Sequence, residues 1–455
     1  MQLTSNERQS FGRLEGSIAI SALHDSREQS IASVHIAGTR TAEIESIMRF
    51  IEGNDKSKPL LVVLGPAGSG KTWLMGSIAR ICKETEQNAA SFFFAKNEFE
   101  RNTEARLVTT LTHQIAVAIP DLQPYIARAI GVDSTILARS LETQLSTLLL
   151  GPINRYVSDH PNISLPPCVL LIDALDECGT HEIQRHVISK LGEAFCKDSF
   201  PFRCILSSRF DSHGLDDIFS REPIQQLVGQ KVILGTALSA EMDDIRSYLV
   251  ARTDQLRRGH RFASSIPKDW PSDSDLDAIV KKSGGQFIYA ATVLRYIDSP
   301  IHKPQERLQD ILGMQTVRSD NRPFAALDEL YRALLSSIED IDRALLFLGV
   351  ELARSCPQLW IPETFADDEG ELLKSKFIDW DADVVLAPLA PVLCCQNSSI
   401  QLHHLSFAEF LFDSTRSGPF GDQVRRCQTW IVGQLVQFFY DGGCTYFCIR
   451  CFIIS

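Results

Sequence analysis

The chain has 455 residues, 44% of them hydrophobic and 22% charged, which is the composition of an ordinary globular protein and excludes disorder as its default state. At roughly 150 residues per domain, this length predicts about three packed units. The formal net charge of −12 excludes a strong attraction of the whole molecule to nucleic acid or to an anionic membrane, so we expect neither as a partner.

The N-terminal part of the chain carries no recognisable targeting signal. It lacks the long apolar stretch of a signal peptide, and no later run approaches the ~20 apolar residues of a membrane span. We therefore expect an intracellular, cytoplasmic protein. The first forty residues are polar and without clear periodicity, and we interpret 1–40 as an extended or weakly helical leader.

A helix follows the leader. In the stretch TAEIESIMRFIEG the apolar residues recur at three- and four-residue spacings, which places them on one helical face: Ile44, Ile47, Met48 and Ile51. Gly53 is the predicted end of this helix.

Four short apolar runs come next, each separated from the following one by helix-like sequence. The runs are LLVVLG (60–65), AASFFFA (89–95), CVLLIDA (168–174) and CILSSR (204–209). Strands that are continuously apolar, rather than alternating, indicate a sheet covered on both faces, and the interleaved helices indicate parallel pairing. The pattern predicts an α/β nucleotide-binding domain with a mainly parallel sheet over 41–236.

Helical periodicity dominates the rest of the chain. We predict a helical domain over 237–322, with two helices broken at Gly284 and Gly285. A winged-helix-like domain is predicted over 323–415, because a helix is followed there by the short β-like pieces DVVLAPL and SIQLHHL and then by SFAEFLFD. The tail, 416–455, has no repeat signature and is interpreted as the stub of a longer protein. Its Cys444, Cys448 and Cys451 lack a fourth ligand at zinc-site spacing, so no zinc site is predicted.

The stretch LGPAGSGKTW matches the phosphate-loop pattern G-x-x-x-x-G-K-[ST] between a predicted strand and a predicted helix. The matching residues are Gly65, Pro66, Ala67, Gly68, Ser69, Gly70, Lys71 and Thr72. Small residues let the backbone curl so that successive N–H groups point at phosphate oxygens. In this pattern Lys71 reaches the terminal phosphates and the Thr72 hydroxyl ligates Mg²⁺. The alternative, a glycine-rich turn without a ligand, fits this context poorly.

Acidic residues follow the third predicted strand, in VLLIDALDE. Asp173, at the carboxyl end of the strand, is predicted to lie beside the phosphate loop and to hold Mg²⁺ through its water shell. Asp176 or Glu177 is the candidate to polarise an attacking water. Arg209, at the end of the next strand, is predicted to contact either the γ-phosphate or these acids, with a plain surface arginine as the alternative.

These motifs together resemble the NACHT class of STAND NTPases, and within it the fungal proteins with a nephrocystin-like NACHT module. The resemblance covers roughly 22–415 and is carried by HDSREQ, AGTR, GPAGSGKT, ASFFFAK, LLIDALDEC and SSRF, followed downstream by KKSGGQFIYAATVLRYI and LHHLSFAEFLFD. It implies a signalling switch, akin to NOD-like receptors, that is closed with ADP, open with ATP and hydrolyses ATP slowly. It also implies homo-oligomerisation on activation, with protein partners that are unknown, and a role in fungal self/non-self recognition.

The resemblance further implies a histidine that contacts the ADP phosphates and locks the closed form. His404 is the position that aligns with it, with His403 as the close alternative. A histidine hydrogen-bonded within a small core is the competing interpretation. For the whole protein, two other functions stay open: a conventional P-loop ATPase machine, and a scaffold that keeps its nucleotide without turnover.

Overall fold

The computed structural model describes residues 4–26, 39–53, 57–96, 98–163, 165–197, 201–210, 218–235, 239–314, 324–354, 382–396, 399–427 and 429. The chain forms two units, Met1–Thr236 and Ala237–Ser455. The cysteine-containing end of the predicted tail lies outside the described residues.

A parallel five-stranded sheet forms the centre of the first unit. Its strands are β1 (Leu60–Gly65), β2 (Asn88–Phe93), β3 (Cys168–Asp173), β4 (Arg203–Arg209) and β5 (Val228–Ile233). They lie in the order β2-β3-β4-β1-β5, with every neighbouring pair parallel. The predicted parallel sheet is therefore confirmed. Strand β4 lies between β1 and β3, so the two sequence motifs flank it.

Helices cover both faces of this sheet. They are α1 (Ser5–Glu15), α2 (Thr41–Glu52), α3 (Lys71–Glu84), α4 (Leu107–Ala118), α5 (Gln123–Val132), α6 (Leu141–Gln144), α7 (Gly151–Asp159), α8 (His181–Lys197) and α9 (Ile224–Leu227), with a π-helical stretch, Leu145–Leu150, between α6 and α7. Leu61 and Val63 of β1 pack in one core with α2 and α3, whereas Val62 and Leu64 pack in a second core with the other helices. Burial on both faces explains why the strands are continuously apolar.

The described part of the leader contains a regular helix, where the sequence predicted an extended or weakly helical segment. This helix, α1, begins with a capping box in which the Thr4 side chain and Glu7 satisfy each other's backbone N–H groups. Leu14 and Ala19 are fully buried in the same core as the sheet. The sequence signal for this helix is the T-x-x-E signature. The many polar residues of the segment leave the helix without a clear hydrophobic periodicity.

Strand β5 was not predicted either. It lies at one edge of the sheet, beside β1, and Gly229, Gln230 and Lys231 interrupt its apolar pattern. Strand β2 lies at the opposite edge, where the Gln114 side chain accepts a hydrogen bond from the Ser91 N–H at 2.9 Å and donates one to the Ser91 carbonyl at 2.8 Å. This amide satisfies edge groups that would otherwise pair with another strand.

The second unit is mainly helical. Its helices are α10 (Ser239–Gly259), α11 (Asp273–Ser283), α12 (Phe287–Ile297), α13 (Pro304–Gly313), α14 (Ala325–Ser336), α15 (Ile341–Arg354), α16 (Ala382–Val385), α17 (Leu405–Phe412) and α18 (Ser414–Ser417). The predicted break between α11 and α12 is confirmed, with Gly284 in the left-handed region at φ 57°. An antiparallel hairpin, β6 (Leu393–Gln396) and β7 (Ser399–Leu402), precedes α17. Within the described ranges, none of the helices combines the length and apolar character needed to cross a bilayer.

Candidate functional site

The loop between β1 and α3 has the backbone geometry of a phosphate cradle. Gly68 and Gly70 have φ angles of 73° and 90°. Residues that carry a Cβ atom adopt this left-handed region only at a cost in free energy. The Leu74 N–H donates to the Gly70 carbonyl at 2.9 Å and starts the hydrogen-bond ladder of α3. The first N–H groups of an α-helix in general lack a carbonyl partner within the helix, so the N-terminus of α3 is a suitable place for an anion.

The first glycine of the loop is required by packing. A Cβ atom at Gly65 would lie 2.7 Å from the Ser69 Oγ and 2.8 Å from the Leu234 carbonyl oxygen. The loop therefore closes tightly over the end of β1, with Ser69 only 1% exposed. Sequence and geometry agree that this turn cannot accept a side chain at its start.

Lys71 is held inside the loop. Its side chain is 8% exposed, and Nζ donates hydrogen bonds to the carbonyl oxygens of Gly65 at 2.8 Å and Pro66 at 2.9 Å. Burial lowers the pKa of this ammonium to about 8, against the opposing effect of the nearby Asp176 carboxylate. An ammonium that has lost its water shell gains strongly from a phosphate anion placed against it.

Asp173 fits the role of a magnesium-site acid. The residue is 1% exposed, its Oδ1 accepts a hydrogen bond from the Ser207 hydroxyl, and its Oδ2 is buried without a hydrogen-bond partner among the described residues. Burial raises the pKa of this carboxyl, while the Ser207 hydroxyl and then the neighbouring Thr72 hydroxyl lower it. A buried carboxylate oxygen without a partner beside the exposed Thr72 is a donor set suited to a hard divalent cation.

Asp176 is paired with Arg209. Its Oδ1 accepts a hydrogen bond from the Arg209 backbone N–H at 2.9 Å, and its Oδ2 lies 2.9 Å from the Arg209 Nε. The ends of β1 and β4 are in register, with Gly65 opposite Arg209. The structure therefore places the Arg209 cation at the phosphate-loop end of the sheet and in contact with the acidic motif.

Glu177 is less constrained than its neighbour. Its Oε2 accepts a hydrogen bond from the Lys96 backbone N–H at 3.2 Å, its Oε1 lies 3.8 Å from the Arg209 Nη2, and its side chain is 21% exposed. Burial, and then the charge of Asp176, raise the pKa of this carboxyl to about 7. A carboxylate that titrates near neutral pH and remains accessible is suited to general-base work.

The two candidate histidines lie in the second unit. His404 caps the start of α17, where its Nδ1 accepts a hydrogen bond from the Ser406 N–H at 3.0 Å. When neutral, this ring therefore carries its proton on Nε2. The His403 Nε2 lies 3.2 Å from the Ala390 carbonyl oxygen, and burial lowers the pKa of this ring to about 4. His403 is thus committed to the backbone as a neutral donor.

Several contacts of the site were not predicted from the sequence. Ser207 lies one strand away from Asp173, and the Lys96 N–H that contacts Glu177 belongs to the loop after β2. Arg40 donates a hydrogen bond to the Ser69 carbonyl oxygen at 2.8 Å. The SSR and AGTR stretches contained two of these residues, but only the three-dimensional arrangement shows what they contact.

Comparison with known proteins gives one family match and distant similarities to solved structures. The model of the nephrocystin 3 N-terminal family matches residues 42–209, which contain the phosphate loop, the acidic motif and Arg209. No curated protein matches the chain significantly. Among solved structures, a Walker-type ATPase of Pyrococcus abyssi is 12% identical over 83% of this chain and 99% of its own, with a TM-score of 0.38. The ORC2 protein of Aeropyrum pernix in its ADPNP–ADP complexes is 12% identical over 88% of this chain and 96% of its own, with a TM-score of 0.33. With its phosphate loop and its five-stranded parallel sheet, the first unit has the fold of a P-loop NTPase-like domain.

Proposed function

We propose that this protein is a nucleotide-operated switch of the NACHT/STAND type that binds ATP or ADP with Mg²⁺ and hydrolyses ATP slowly. The observation that carries the proposal is the buried Lys71 ammonium inside a glycine-shaped loop, together with an Asp173 carboxylate oxygen that has no hydrogen-bond partner in the described part of the chain. Bound Mg²⁺ would be held by Thr72 and, through water, by Asp173, and it would neutralise charge on the β- and γ-phosphates.

The complete acidic motif supports turnover over a passive scaffold. Glu177 has a pKa of about 7 and a partly exposed side chain, so near neutral pH a large fraction of it is the carboxylate that can accept a proton from water. Asp176 is instead occupied by Arg209. We therefore assign the water-polarising role to Glu177 and a charge-sensing role to the Asp176–Arg209 pair, which a γ-phosphate would compete for.

A switch and a machine differ in what they retain. A switch is stable with its product bound, whereas a machine must release product quickly to turn over again. The resemblance to NACHT proteins favours the switch, together with self-association once ATP is bound, and fungal self/non-self recognition is the process it would serve. No protein partner is assigned.

The nucleotide content of the purified full chain tests this proposal. Prepared without added nucleotide, the protein is expected to carry ADP in near-stoichiometric amount, detected by chromatography of the acid extract. Tight ADP together with slow steady-state hydrolysis supports the switch. An empty site with rapid turnover supports the machine, and bound nucleotide without any turnover supports the scaffold.

The proposed ADP lock at His404 has a separate test that preserves the helix cap. In His404→Asn the short amide can still cap α17 but cannot supply the imidazole donor. If this donor contacts the ADP phosphates, we expect ADP to dissociate roughly ten- to a hundredfold faster, since a charge-assisted hydrogen bond is worth ~1.5–3 kcal/mol. The same variant should show a higher mass by light scattering. His403→Gln is the matched control, and an unchanged ADP rate and mass in His404→Asn would identify a core histidine.

A further inference from the structure

Arg40 is a buried cation directly behind the phosphate loop. Its side chain is 1% exposed, its Nη2 donates to the Ser69 carbonyl oxygen at 2.8 Å, and its Nη1 lies 3.2 Å from the Glu43 carboxylate. An arginine is rarely buried to this extent unless its guanidinium is paired with other groups, because removing a guanidinium from water costs free energy. Arg40 lies outside the segment matched by the family model, which begins at residue 42.

The backbone of Arg40 is also unusual. It adopts the left-handed conformation, with φ 55° and ψ 32°, at the residue that precedes α2. A non-glycine residue in this region is held there by its surroundings at a cost in free energy, and such residues cluster at functional sites. Here the conformation places the guanidinium under the loop.

The contact with Ser69 has a geometric consequence for the next residue. The Ser69 carbonyl and the Gly70 N–H belong to one planar trans peptide group, so they point in opposite directions. Because the carbonyl points at the buried Arg40, the Gly70 N–H points away from Arg40. Gly70 is the left-handed residue that caps α3, and its N–H is one of the donors that a phosphate loop presents to its ligand.

Two buried cations thus hold three carbonyl groups of the loop. Lys71 contacts the carbonyls of Gly65 and Pro66, and Arg40 contacts that of Ser69. Turning these oxygens towards cations removes negative partial charge from the side that receives the phosphates. Lys71 can change partner when a nucleotide binds, whereas the ion pair with Glu43 fixes Arg40 to the first turn of α2.

We propose that Arg40 is a positioning residue of the phosphate loop, which orients the Ser69–Gly70 peptide for a nucleoside diphosphate or triphosphate without touching the nucleotide. The inference rests on the proposed nucleotide binding. It implies that Arg40 selects for the number of phosphates, since AMP lacks the β-phosphate that the loop cradles.

Competition binding on the full chain tests this role, with ATP, ADP and AMP displacing a fluorescent ADP. In Arg40→Met we expect ADP and ATP affinities to fall about tenfold or more, the range of one lost charge-assisted hydrogen bond, while AMP affinity changes less than threefold. Arg40→Lys keeps the charge and one donor, so its ADP affinity should lie between those of wild type and Arg40→Met. The control is Arg49→Met, which changes an exposed arginine on the same helix.

The outcomes separate this inference from the proposed function. If the wild type binds no nucleotide, or if the Lys71→Ala variant binds nucleotide as well as the wild type does, the proposed function fails. If wild type binds and Lys71→Ala does not, but Arg40→Met binds as wild type or loses AMP and ADP equally, the positioning role alone is overturned. Should Arg40→Met not fold, Arg40→Lys decides by the same ADP-to-AMP comparison.

Discussion

Lys71→Ala is expected to lower the affinity for ATP and ADP at least about a hundredfold, because each charge-assisted hydrogen bond from its ammonium to a phosphate contributes ~1.5–3 kcal/mol. The fold should persist. Burial already disfavours the Lys71 ammonium, and the carbonyls of Gly65 and Pro66 keep the hydrogen bonds that they accept from the backbone N–H groups of Phe210 and Ser69. Titration calorimetry measures the affinity and thermal unfolding measures the stability.

The pH dependence of binding gives this prediction a signature. The free Lys71 ammonium has a pKa of about 8, below the ordinary lysine value, so wild type loses the cation as the pH rises through 8. The phosphate prefers the protonated lysine, so nucleotide affinity should fall with rising pH above about 8. The affinity that remains in Lys71→Ala should lack this fall.

Lys83→Ala is the matched control for this experiment. Lys83 lies on the same helix, α3, but its side chain is 69% exposed and pairs with Asp25. We expect its removal to leave nucleotide affinity unchanged. If Lys71→Ala and Lys83→Ala bind nucleotide with the same affinity, the phosphate loop is not part of the nucleotide site.

The sheet could be predicted because each central strand is buried on both faces and is therefore a continuous run of apolar residues. Strand β5 shows the limit of that signal, since an edge strand carries polar residues such as Gln230 and Lys231. The capped helix α1 was predicted only as an extended or weakly helical segment for a related reason, because most of its residues are exposed and polar. The hydrophobic pattern of a sequence reflects which residues are buried, so an element that is only partly buried has a weak pattern.

The candidate site was predictable only as far as its contacts are local in sequence. The phosphate loop is a contiguous stretch, so its pattern and its geometry coincide. The contact of Arg40 with Ser69 joins residues 29 positions apart, and the pairing of Asp176 with Arg209 depends on the register of β4. Asp176 and Glu177 are adjacent carboxylates, so the sequence alone does not show which of them activates water. The left-handed Ala174 and the 3₁₀ turn Leu175–Glu177 that follows it set where each of them points.

Glu177→Gln is expected to leave nucleotide binding nearly unchanged and to slow ATP hydrolysis at least about a hundredfold, the usual contribution of a general base. The amide oxygen of glutamine can still accept the hydrogen bond from the Lys96 N–H, so the local structure should be retained. It cannot accept a proton from water at neutral pH, so ATP should accumulate on the protein. Single-turnover hydrolysis with radiolabelled ATP measures the rate, and extraction of the bound nucleotide identifies the trapped form.

The pH profile tells whether Glu177 is the base or only a neighbour of it. Burial raises the pKa of this carboxyl to about 7, so a smaller fraction is ionised at pH 6 than at pH 8. The wild-type rate should therefore increase as the pH rises through 7 and then level off, and this limb should vanish in Glu177→Gln. Glu182→Gln, which changes an exposed acid in the first turn of α8, should keep both the rate and the profile. If Asp176→Asn traps ATP and abolishes the limb while Glu177→Gln does neither, the two acids exchange roles, and the ion pair with Arg209 must open before water is activated.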